Sequence, residues 1–117
     1  MSVNHPKPKK LTVKLDGTNG MKVGYRHVIR GQVSDPCQPV QVLVLSADGK
    51  WHLQKDAVVS RDGRFKTTVK FGFEKNKKSL HQFTVVATAG HREKNPPLDK
   101  LPKGVPHSKA LKVRRTK

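Results

Sequence analysis

The chain has 117 residues, with 25 Lys or Arg against 8 Asp or Glu, for a formal net charge of +17. That length accommodates one ordinary domain, and no apolar run approaches the roughly 18 residues of a membrane-spanning helix. Solubility asks for a net charge of only about 2–8 in magnitude, so the excess points to a polyanionic partner.

Residues 1–10 hold Lys7, Lys9 and Lys10 without an acid, together with Pro6 and Pro8, and read as a flexible basic arm. From Leu11 the apolar residues recur with period two. Leu11, Val13 and Leu15 alternate with Thr12, Lys14 and Asp16, predicting a half-buried strand over 11–16. Asp16-Gly17 and Asn19-Gly20 then read as a longer connection. A second strand is expected over 24–34, with Tyr25, Ile29 and Val33 on one parity and Arg26 and Arg30 on the other. Residues 40–47 are apolar on both parities, the mark of a central strand.

Asp48-Gly49 and Asp62-Gly63 are hairpin signals, because glycine accepts the positive φ of tight turns. They delimit expected strands at 50–54, 56–60 and 64–73. In the last of these, Phe65, Thr67, Val69, Phe71 and Phe73 alternate with Arg64, Lys66, Thr68, Lys70 and Gly72. A seventh strand is expected over 80–89, where Phe83, Val85, Ala87 and Ala89 share one parity. Residues 91–107 contain four prolines and read as a loop crossing to an eighth strand at about 108–114. Residues 115–117 read as a basic tail. The expectation is an all-β chain, a single sandwich of about seven strands over 11–114 with basic flexible termini.

The rhythm Ile29-x-Gly31-x-Val33, Val40-x-Val42, Asp48-Gly49-x-Trp51, Asp62-Gly63-x-Phe65 and Phe83-x-Val85-x-Ala87 resembles that of bacterial immunoglobulin-like (fibronectin-type) domains. The resemblance implies an immunoglobulin-like β-sandwich without paired cysteines. It also implies a non-enzymatic role as spacer, adhesion module or accessory piece of a larger protein.

No catalytic constellation assembles from the sequence. Nucleophile elbow, phosphate loop and His-Glu-x-x-His pair are all missing. Asp16, Asp48 and Asp62 sit in turns where a carboxylate bonds local backbone. The six histidines show no metal-ligand spacing, and Cys37, the one cysteine, cannot build a thiolate zinc site. No metal, no cofactor and no enzymatic activity are expected. Trp51 is expected in the core, with a stacking platform for a base or sugar as the alternative. A lone cysteine and the lack of an apolar leader run favour the cytoplasm, with a secreted or surface protein as the alternative.

The cations carry the remaining signal. Lys14, Arg26, Arg30, Arg64, Lys66 and Lys70 all have the parity opposite to the apolar residues, and would form one positive face if their strands were neighbours. Lys112 and Arg114, alternating with Leu111 and Val113, could extend it. Lys7, Lys9, Lys10, Lys75, Lys77, Lys78 and Arg115 complete the candidate contacts. Such a face would engage nucleic acid, RNA or DNA, through phosphates in a salt-sensitive, sequence-independent manner. The alternative is an immunoglobulin-like spacer or adhesion module of a bacterial surface or secreted protein.

Overall fold

A computed structural model describes residues 11–46, 49–54, 56–71, 82–90, 100–101 and 104–116. Nine strands run through them: β1 (Val13–Leu15), β2 (Met21–Val23), β3 (Arg26–Val33), β4 (Val40–Leu45), β5 (Trp51–Leu53), β6 (Val58–Val59), β7 (Arg64–Lys70), β8 (Gln82–Ala89) and β9 (Leu111–Arg115). They form a four-stranded sheet in the order β1-β3-β7-β6 and a five-stranded sheet in the order β2-β9-β8-β4-β5. The fold is all-β and sandwich-like. Among the described residues no helix is long and apolar enough to cross a membrane.

Alternation builds the first sheet. Phe65, Thr67 and Val69 of β7 are buried while Arg64, Lys66, Thr68 and Lys70 are exposed, and β3 repeats the pattern with Ile29, Gly31 and Val33 inward. Ile29, Val33, Phe65 and Val69 meet Val40, Val42 and Val44 of β4, Phe83 and Val85 of β8 and Val113 of β9 in one cluster. At its centre Phe71 and Phe83 pack with ring centroids 5.3 Å apart and planes tilted by 54°, an arrangement that suits the ring quadrupoles.

Strand β4 is buried on both faces, as its continuous apolar run predicts. Leu43 pairs with Val86, and both are buried outside the main cluster; Gln41 and Thr88, also a cross-strand pair, are buried on that same outward parity.

Both Asp-Gly hairpins form at the expected places. At the β6–β7 turn, the Ser60 amide donates to the Arg64 carbonyl at 2.8 Å and the Gly63 amide to the Ser60 carbonyl at 2.9 Å. The Asp62 carboxylate accepts from the Arg64 amide at 3.1 Å, the local bonding expected of a turn aspartate. Gly63 has φ of +86°, and a Cβ there would collide with the Val33 carbonyl oxygen. At the β4–β5 turn Gly49 donates to Ser46 at 3.0 Å, while Asp48 lies outside the described residues. Gly31 is required for a different reason: a Cβ would strike the Lys14 carbonyl and the Phe65 ring, so its absence lets β1 lie close against β3.

Several strands are shorter than expected, β6 most of all at Val58–Val59, and two elements depart further from the sequence expectation. The connection after β1 contains β2, whose three residues are too few to show periodicity. It pairs in parallel with β9, Met21 opposite Val113, so the chain leaves the first sheet after β1 and joins the second. The Gly20 amide donates to the Lys112 carbonyl at 2.7 Å, and the Asn19 side-chain oxygen accepts from the Lys112 amide at 3.0 Å, tying the switch to β9. The last strand begins and ends later than expected, at Leu111 and Arg115, so Arg115 belongs to the sheet. Before it, an isolated bridge joins Thr88 to His107, and the step from that bridge to the Val85–Leu111 pair carries one extra residue on the β9 side.

Candidate polyanion-binding face

The order β1-β3-β7 makes neighbours of the three strands that carry the outward cations. Lys14 lies opposite Gln32, and Gln32 opposite Arg64; Arg30 lies opposite Lys66, and Arg26 opposite Lys70. All six cations are exposed. Antiparallel neighbours stand about 4.5–5.5 Å apart at the Cβ, so Arg30–Lys66 and Arg26–Lys70 are like-charge pairs placed directly across from each other. Between them the Val28–Thr68 pair is uncharged, with Val28 42% exposed.

Two acids border the face. Asp62 lies 3.6 Å from the Arg64 guanidinium, with both side chains more than 60% exposed, a pair that solvent screens to little effect. Asp16 follows β1, its amide donating to the Arg30 carbonyl at 2.9 Å. No acid occupies an outward position within β1, β3 or β7 themselves.

Lys112 and Arg114 do not extend this face. Strand β9 belongs to the second sheet, so its outward side chains project from the opposite side of the sandwich. There Arg114 pairs with Lys22 of β2 on one flank and Gln82 on the other, making a smaller exposed cluster with Lys112. Alternation reveals that a side chain points outward but not which of two opposite outsides it faces. Lys22 escaped the sequence reading because β2 did.

Arg115 is not a surface contact at all. It is 2% exposed, its Nη1 donates to the Phe71 carbonyl at 2.6 Å, and its guanidinium carbon stands 5.1 Å from the centre of the Tyr25 ring. Arg26 approaches the same ring at 5.9 Å. A buried guanidinium is tolerable because it is hydrogen-bonded and lies over an aromatic face. The signal was in the sequence: Arg115 continues the inward parity of Leu111 and Val113. Lys7, Lys9, Lys10, Lys75, Lys77 and Lys78 lie outside the described residues.

Trp51 is half-buried and outside the main cluster, because on the edge strand β5 it lies opposite Leu45, on the outward parity that Leu45 shares with Gln41 and Leu43 of β4. A cleft of about 900 Å³ opens between β1 and residues 104–111, with Leu11, Leu15, Val105, Pro106 and Leu111 among its walls. Its one histidine, His107, has Nδ1 2.9 Å from the Ser108 carbonyl oxygen, and no acid lines it among the described residues. Among those residues no group of three His, Cys, Asp or Glu is placed to hold a metal ion. Cys37 is exposed, and its amide donates to the Asp35 carboxylate at 2.9 Å.

No protein-family model matches the chain, and comparison with curated proteins finds no match.

Proposed function

We propose that this protein is a non-enzymatic binding module that engages a polyanion, nucleic acid first among them, through phosphate contacts on the outer face of β1-β3-β7. The observation carrying the reading is the register that sets Arg30 opposite Lys66 and Arg26 opposite Lys70. Like charges directly opposite one another destabilise a sheet, and a merely solvated face would mix both signs. A sheet that keeps two such pairs on neighbouring strands, with Lys14 and Arg64 beside them, is suited to a partner that supplies the missing negative charge.

The contacts would be made to backbone phosphates and so would be indifferent to base sequence. Six such contacts lose affinity by about a thousandfold between 50 and 200 mM salt. Joint reversal of Arg26, Arg30, Lys66 and Lys70 to Glu is expected to abolish that binding in the folded protein. Unchanged affinity in a salt-titrated fluorescence anisotropy assay would refute the face as the carrier. A reduced compartment accords with the single exposed Cys37 and with access to intracellular nucleic acid.

The second reading, an immunoglobulin-like spacer or adhesion module, draws support from the strand order. In that fold the first, second, fifth and fourth strands make one sheet and the third, sixth and seventh the other. With β2 counted as the continuation of β1 and β5 as an added edge strand, β1-β3-β7-β6 and β9-β8-β4 follow the same order. Persistence of the intact chain as a monomer that binds no nucleic acid at low salt would favour this reading.

A further inference from the structure

We infer that the outer face of the first sheet seats a double-helical nucleic acid rather than a single strand, an inference resting on the polyanion reading above. The cations stand in rows across the strands. Arg26–Lys70 and Arg30–Lys66 are separated by four residues along both strands, about 13 Å at the rise of a β-strand. The uncharged Val28–Thr68 pair lies between them, and Lys14 and Arg64 flank Gln32 about 7 Å beyond the Arg30–Lys66 row. A double helix presents a matching succession: a charged rim, a groove floored by uncharged base edges, and a second charged rim. The major groove of B-form DNA is about 12 Å wide.

The outward residues also lack what a single strand needs. Proteins that hold single strands combine a basic groove with aromatic platforms on which unstacked bases lie. No outward position of β1, β3 or β7 is aromatic; the uncharged ones are Val28, Gln32 and Thr68. The Tyr25 ring is engaged by the Arg115 and Arg26 guanidinium groups. With stacking removed, affinity follows phosphate density, which in the duplex is one charge per about 1.7 Å against about 3.4 Å for each strand.

The test uses the full chain in fluorescence anisotropy with three labelled probes of equal phosphate number: duplex DNA, duplex RNA and an unstructured mixed-sequence single strand. At 0.1 M salt a duplex is expected to bind about tenfold more tightly than the single strand. That is the order of the gap that opens over six contacts between 1 M salt, where the affinities are taken as equal, and 0.1 M, with slopes of about −0.9 and −0.7 per phosphate. Tighter binding of either duplex supports the inference, and the two duplex arms separate DNA from RNA. Equal or tighter binding of the single strand overturns the duplex assignment while leaving the polyanion reading standing. Absence of binding to all three probes at 50 mM salt overturns both. In the Arg30→Glu/Lys66→Glu double variant, its fold checked by circular dichroism, the duplex preference should fall to less than about threefold, because one rim of the match is gone. A preference that survives undiminished places duplex recognition elsewhere and overturns the assignment.

Discussion

The two sheets share the in-and-out geometry of the β-strand but use their outward positions in opposite ways. On the first sheet, the outward residues of β3 and β7 are exposed, and most are cationic. On the second, the outward residues Gln41, Leu43, Val86 and Thr88 of β4 and β8 are buried, and the exposed strand cations Lys22, Lys112 and Arg114 gather at the β2–β9 edge. The same period of two therefore specifies an interaction surface on one side and a second buried layer on the other. Residue type distinguishes them: lysine and arginine can remain outward only where water or a polyanion reaches them, whereas Leu43 and Val86 gain by burial.

The largest expected effect that sharpens this contrast comes from removing outward apolar side chains on each sheet. Leu43→Ala is expected to cost about 2–5 kcal/mol in urea unfolding, since Leu43 is fully buried. Val28→Ala on the exposed face should cost less than about 1 kcal/mol, and similar losses at the two positions would break the comparison.

An intermediate effect separates neighbouring arginines of β9. Arg115→Ala removes a charged hydrogen bond to the Phe71 carbonyl and should cost about 1.5–3 kcal/mol, read as a lower denaturation midpoint. Arg114→Ala, at an exposed position, should stay within about 0.5 kcal/mol.

The smallest effect has the opposite sign. Lys66→Gln relieves the repulsion with Arg30 and is expected to stabilise the free protein by about 0.2–1 kcal/mol at low salt. Added salt should shrink that gain by screening the pair, while also weakening polyanion binding. A thermal melt showing Lys66→Gln less stable than the parent would mean that the cross-strand cations do not repel.

Much of the fold was legible in the chain. Phe65, Val69, Ile29 and Phe83 announced their strands by alternation, Val40–Leu45 announced a central strand by lacking it, and the Asp62-Gly63 turn appeared where its positive φ requires glycine. Periodicity is a local property, so it survives without knowledge of neighbours. Met21–Val23 was illegible because three residues hold no period, and their strand exists only through pairing with β9. Arg115 was legible by parity but was overridden by its charge, since a guanidinium is seldom buried unless a partner waits inside.

The six outward cations of β1, β3 and β7 were marked by residue type and alternation, which depend on nothing beyond each strand. That they form one surface, while Lys22, Lys112 and Arg114 occupy the other side, follows from strand order. Hydrogen-bonded pairing joins residues far apart in the chain, and only the packed sandwich assigns each outward side chain to one of its two faces.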